Sequence, residues 1–146
     1  MNALAQNRIE SLLDQQIEVA RSLASVLEAE RDALTGNSPE AVCEKAVQKV
    51  QLLELFERLE VERRGLYAEA GITATAAMTQ TITQRWRSLM GLLAACRNAN
   101  ETNGLIVNLK QGQIRQLLDI VRGGPSVTYG PHGQTFAAAV RPLARA

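Results

Sequence analysis

Apolar side chains recur along most of this chain at alternating steps of four and three, the spacing of one face of an α-helix. In the first segment the row reads Ile9, Leu13, Gln16, Ala20, Leu23, Leu27, Glu30, Leu34, and a second row, Leu12, Val19, Val26, Ala33, runs beside it. Together the rows make a face wide enough for two neighbours, as in a bundle, where a two-stranded coiled coil needs only a narrow seam. The run Thr35-Gly36-Asn37-Ser38-Pro39-Glu40 breaks the pattern. Gly36 suits the left-handed residue that ends a helix. Ser38 suits an N-cap, Pro39 the first helical position, and Glu40 the positive end of a new helix dipole. The spacing thus predicts helices over 2–35 and 39–70, joined by a loop so short that the second must return antiparallel to the first.

In the second helix the expected inward positions are Val42, Cys43, Ala46, Val50, Leu53, Phe56 and Leu59, with Glu54, Arg58 and Glu62 outward and Gly71 as the stop. Ile72–Thr83 is rich in Thr and Ala and uncharged, and Thr73 or Thr75 is a candidate cap. A third helix is predicted over 75–122, secure from Ile82. Its row is Trp86, Leu89, Leu93, Cys96, Asn100, Asn103, Val107, Ile114, Leu117, Val121. Gly91, Gly104 and Gly112 lie inside it, each costing about 1 kcal/mol relative to Ala. They either permit close helix contact or mark soft points, and bending is expected near Gly104.

At Gly123-Gly124-Pro125 the chain changes character. Residues 123–146 hold four of the ten glycines and three of the four prolines, and no Asp or Glu. This is turn and linker chemistry, with 135–141 compatible with a short helix. The predicted fold is all-α: a bundle over 1–122 of three long helices, antiparallel in sequence order, and an irregular C-terminal tail.

Charge adds an asymmetry. Residues 1–36 carry 6 acids and 3 bases, residues 37–71 carry 7 and 5, residues 72–122 carry 2 and 6, and the tail adds Arg141 and Arg145. The basic third segment is therefore expected to face the acidic first two, through surface pairs worth under ~1 kcal/mol each. Arg85, Arg87, Arg97, Lys110 and Arg115 also form a face that RNA would accept. The net charge of +1 and an aromatic fraction of 3% weigh against that reading.

Catalytic chemistry finds no foothold. His132 is the single histidine and sits in Gly-Pro-His-Gly, and neither phosphate-binding glycine motif is present. The carboxylates lie among Arg and Lys on helix surfaces, which does not favour an acid–base pair. Cys43 and Cys96, both on apolar rows, are expected to be reduced and buried, and without His neighbours they make no zinc site. Neither a metal nor another cofactor is expected. No apolar run approaches the roughly 20 residues of a membrane span. Met1-Asn2-Ala3-Leu4 lacks the marks of a secretion signal, so a cytoplasmic protein without membrane insertion is expected.

Asn100 and Asn103 are polar residues in an apolar row, followed directly by Gly104. A buried amide left without partners costs ~1–3 kcal/mol. The two either pair across the bundle, or with backbone loosened near Gly104, or they touch a partner. At this point the chain resembles a known family. Trp86, Cys96 and Asn98-Ala99-Asn100-Glu101-Thr102-Asn103-Gly104-Leu105-Ile106 resemble the third helix of the FlgN-type flagellar export chaperones. Downstream, Leu117, Leu118, Gly123, Tyr129-Gly130 and Gly133 are similar. Upstream, so are Leu4 to Leu34 followed by Lys49, Leu53, Leu59 and Arg63. His132 matches no family feature.

The resemblance implies a nucleotide-independent chaperone. Such proteins hold the C-terminal helical segment of hook–filament junction proteins in the cytoplasm and present them to the flagellar type III export gate. The physical logic is consistent: an amphipathic cargo helix would self-associate unless its apolar stripe were covered. The expected cargo and export-gate surface is Leu117, Leu118, Val121, Tyr129, Phe136, Val140 and Leu143. Tyr129 is the candidate for the gate, against the plainer reading of a tyrosine packed on its own body. A structural coiled-coil scaffold with no released cargo is the alternative. A wide apolar face is satisfied within one chain or by a homo-oligomer.

Overall fold

The computed structural model describes residues 3–70 and 79–123. Three helices account for nearly all of them: α1 (Ala3–Thr35), α2 (Pro39–Glu69) and α3 (Gln80–Val121). The chain divides into two units, Met1–Glu101 and Thr102–Ala146.

The turns show local chemistry setting the boundaries. Between α1 and α2 the left-handed residue is Asn37, at φ 55°, and not Gly36 as expected. Asn tolerates this conformation because its short polar side chain bonds locally. Gly36 is needed for a different reason: a Cβ there would stand 3.0 Å from the Asp32 carbonyl oxygen. The Gly36 and Ser38 amides close the helix end on Asp32 O and Ala33 O. Ser38 occupies the N-cap, but its side chain makes no capping bond, and Pro39 stands at the first position. The α3 cap is Thr79, whose Oγ1 accepts from the Ile82 amide at 3.3 Å. Thr73, Thr75 and Gly71 lie outside the described residues. At the far end Gly123 adopts φ 73°, and its amide donates to Ile120 O.

Within Met1–Glu101, α1 is the hub. All eight members of its first row are buried, as are Leu12, Val19 and Ala33 of the second. Ile17, on neither row, is buried too and widens the face. Ile9, Leu13, Ile17 and Ala20 meet Ile82 and Leu89 of α3, with Phe56, Tyr67, Trp86 and Leu93 around them. Leu12 and Val19 meet Leu59 of α2, with Leu52, Leu55 and Leu66. Leu23 and Leu27 close on Cys96. One face serving two partners is what the paired rows predict.

The α2 expectation needs correction. Cys43 is exposed, and Val50 and Leu53 are about half exposed. Of the expected positions Phe56 and Leu59 do face the core, where Leu52, Leu55, Leu66 and Arg63 join them. Apolar residues stand on both sides of this helix, so hydropathy alone does not choose between them. The glycine expectation is also settled in part. At Gly91, Gly104 and Gly112 an added Cβ would meet nothing within 4 Å, so none is required by close helix contact.

Two polar layers cross this core. In the first, Arg63 of α2 donates from Nε to Gln16 Oε1 at 3.1 Å, and from Nη2 to Glu60 Oε1 and Oε2 at 2.6 and 2.8 Å. Gln16 Nε2 donates to Glu60 Oε2 at 2.8 Å. The Arg63 guanidinium lies 4.8 Å from the centre of the Trp86 ring of α3 and 5.5 Å from that of Tyr67. In the second layer Lys49 Nζ of α2 donates to Glu30 of α1 at 3.0 Å and to Asn100 Oδ1 of α3 at 3.0 Å. The layers are two heptads apart on every helix: Gln16 to Glu30, Arg63 to Lys49, Trp86 to Asn100. These pairings also fix direction, with α2 antiparallel to α1 and α3.

The first layer holds Glu60 in an unusual state. Burial pushes its carboxyl up, but the hydrogen bonds from Arg63, Gln16 and Arg64 outweigh that and bring the pKa to about 2. A folded pKa below the unfolded one stabilises the fold above the unfolded value and ceases to do so as pH falls through the folded value.

Electrostatic attraction between α3 and α1 is concentrated at Arg85. Its guanidinium donates to Asp14 at 2.8 Å and lies 3.7 Å from Glu10. Hydrogen bonds from Gln6 and Thr81 hold the Glu10 carboxyl below its usual range against burial, with Arg85 adding to the effect. Arg97 pairs instead within its own helix, with Glu101.

Three outcomes are expected in denaturant unfolding. Leu13→Ala, at a fully buried hub position, lowers stability by roughly 2–5 kcal/mol. Gly91→Ala raises it by up to about 1 kcal/mol, whereas Gly36→Ala lowers it. Stability of the native chain falls as pH drops from about 4.5 towards 2, and Glu60→Gln flattens that slope while lowering stability at pH 7.

Candidate functional site

The residues singled out on α3 divide into a packed group and an exposed group. In the packed group, Trp86 is half-buried beneath the Arg63 guanidinium. Cys96 is buried and donates from Sγ to the Ala20 carbonyl oxygen at 3.5 Å. Burial raises its thiol pKa, which keeps it protonated and unreactive at neutral pH. Asn100 is exposed and accepts from Lys49. Trp86 and Cys96 contribute to holding α3 on α1, and Asn100 ties it to α2.

Within Thr102–Ala146 the described residues are the remainder of α3 and its terminal turn. Asn103 is buried at 2% exposure, and Gly104 is exposed within unbroken helix. Beyond it the row continues in sequence, but its later members are not covered. Ile114, Leu117 and Val121 are 58%, 61% and 75% exposed, and Leu118 is 44% exposed. Leu105, Leu109 and Ile120 are exposed as well. Ile114, Leu117 and Val121 share one helical face at steps of three and four, with Leu118 flanking it. Monomeric proteins seldom leave an apolar patch of this kind in water unless something binds there. Tyr129, Phe136, Val140 and Leu143 lie outside the described residues.

A shallow hollow of 230 Å³ lies on the same stretch, lined by Gln111, Ile114, Arg115, Leu118, Asp119 and Arg122. Asp119, Arg115 and Arg122 stand there beside the apolar side chains of Ile114 and Leu118. Among the described residues no group of His, Cys, Asp or Glu is arranged to hold a metal. No described helix is long and apolar enough to cross a membrane. What the described residues offer on this stretch is an exposed apolar helix face with charged side chains beside it.

Sequence reasoning placed Ile114, Leu117 and Val121 on the α3 row and gave Leu117, Leu118 and Val121 to the expected binding surface. Their exposure carries no mark in the sequence, because an apolar residue reads the same whether covered or bare. The outward row on α2, Val47, Val50 and Val61, was missed for the same reason; these residues are also more than half exposed.

Comparison with known proteins agrees over most of the chain. The profile of the family described as FlgN protein matches residues 1–136. The flagella synthesis protein FlgN of Yersinia enterocolitica serotype O:8 is 27% identical over 137 residues, covering 91% of this chain and 92% of the relative. The flagella synthesis protein FlgN of Salmonella typhimurium is 26% identical over 134 residues, covering 88% and 90%. No solved structure matches. With the family profile spanning nearly the whole chain and the helical architecture in agreement, this chain belongs to the FlgN protein family.

Proposed function

We propose that this protein is a flagellar export chaperone. It binds hook-associated, hook–filament junction proteins in the cytoplasm, keeps their terminal helices from pairing early, and delivers them to the export gate. The observation that carries this reading is the bare apolar face of distal α3 in a chain of the FlgN family. The name of the relatives, flagella synthesis protein, supports a role in building the flagellum.

The mechanism is physical rather than catalytic. A hook-junction subunit carries amphipathic helices that find their partners only after assembly. In the cytosol their apolar stripes seek any apolar surface. Leu117, Leu118 and Val121 offer one, and covering the stripe removes the drive to self-associate. Tyr129, Phe136, Val140 and Leu143, which follow in the sequence, are assigned to the same task, with Tyr129 as the contact for the export gate. A tyrosine supplies large contact area at low entropy cost. No bond is made or broken, so neither nucleotide nor metal is called for.

Co-purification with a hook-junction protein is the direct test. Leu117→Asp combined with Leu118→Asp weakens the complex at least tenfold, and truncation after Arg122 abolishes or strongly weakens it while helical circular dichroism is retained. Full-strength binding by both variants would overturn the assignment of this surface. Binding also persists as salt is raised, because its source is apolar contact, whereas an RNA complex would collapse.

A further inference from the structure

The distal end of α3 is apolar on one side and cationic along one edge of that side. Ile114, Leu117 and Val121 form the apolar strip and Leu118 borders it, and all four are exposed. At about 100° per residue, Arg115 and Arg122 fall side by side just beyond Leu118, and Asp119 falls farther round the helix. Both cations therefore stand nearer the strip than the anion does. The three charged residues line the 230 Å³ hollow together with Ile114 and Leu118.

Arg115 carries a second, independent mark. It is half-buried, and its Nη1 is shielded from water without a hydrogen-bond partner. A shielded donor that finds no acceptor is a standing penalty on the free chain. Asp119, one turn along, does not supply the missing acceptor. A carboxylate from another molecule suits the group best, because its two oxygens match the fork of guanidinium N–H groups and the bond is charge-assisted.

We infer that distal α3 selects amphipathic helices whose apolar stripe is bordered by Asp or Glu, and that Arg115 is the residue that makes the selection. The occupant follows from the surface. A straight apolar strip on one helix fits the stripe of a second helix, and its cationic edge fits an acidic border. Contact between apolar side chains supplies most of the strength, and the charged edge decides which helices are accepted. A helix bordered by Lys or Arg would set like charges together, and a neutral border would leave Nη1 with a weaker acceptor or none. The inference rests on the proposed reading of this face as the one that binds cargo, and adds the chemical class of helix it takes.

Two synthetic helical peptides of about 20 residues test it on the full chain. Both carry the same leucine stripe; one has Glu at the bordering positions and the other has Gln. In fluorescence anisotropy the Glu peptide binds about tenfold more tightly than the Gln peptide. Arg115→Gln erases that preference while helical circular dichroism is retained, and Arg115→Lys, which keeps the charge, retains part of it. Leu117→Asp combined with Leu118→Asp weakens binding of both peptides, which locates them on this face. Equal affinity of the native chain for the two peptides overturns the inference. So does a preference that Arg115→Gln leaves intact, or binding that the double leucine variant leaves unchanged. Binding of neither peptide also overturns it, which is the result if a second copy or the chain's own residues 124–146 occupy the face. Co-purification with a hook-junction protein reads the proposed function separately. A chain that captures that protein yet does not distinguish the peptides loses only the charge preference; one that distinguishes them but captures no hook-junction protein loses the cargo assignment.

Discussion

The buried hydrogen-bonded ion at Arg63 is the constraint on which the rest of this bundle turns. A guanidinium taken out of water costs several kcal/mol unless its donors are satisfied. Here Gln16 comes from the hub helix, Glu60 from one turn back on the same helix, and the Trp86 ring from the third. Lys49 repeats the arrangement two heptads away with Glu30 and Asn100. A slip of one heptad between α1 and α2 would set Arg63 against Ile9 or Leu23. The apolar rows tolerate such a slip, being Leu and Val at most positions. The ions do not, and so the polar layers give the bundle a single register.

That division of labour explains how much of the fold was legible. The two rows of α1 declare themselves because nearly every inward position is apolar and the few polar ones, Gln16 and Glu30, keep the 4-3 step. The chain reversal at 36–39 is equally plain, although the residue that takes the left-handed conformation is Asn37 and not the glycine beside it. The second helix is harder. Val50 and Leu53 are as apolar as Leu52 and Leu55, and the positions that decide its orientation are Lys49 and Arg63. Hydropathy assigns such residues to the surface. Their burial depends on acceptors supplied by other helices, which a one-dimensional pattern does not contain.

The candidate site shows the complementary limit. Leu117, Leu118 and Val121 are identifiable as an apolar helix end, and the family resemblance gives that end a meaning. Whether the rest of the bundle covers it is a property of packing, and the exposure of these residues supplies the answer. Helices that close a core within the first hundred residues, and then continue with an apolar face into water, separate two tasks along one chain. The first part secures a fold; the later part of α3 keeps its apolar side chains exposed, which is what the proposed function draws on.

The unequal placement of the two cysteines gives this molecule an internal chemical gauge. Cys43 faces solvent, while Cys96 is shut in against Leu23 and Leu27 with its proton retained. A thiol-reactive dye at neutral pH attaches to the former and passes the latter by. Capture of the hidden sulfur then counts the moments when the third helix lifts from the first, so the rate of that second labelling step measures how often the bundle breathes.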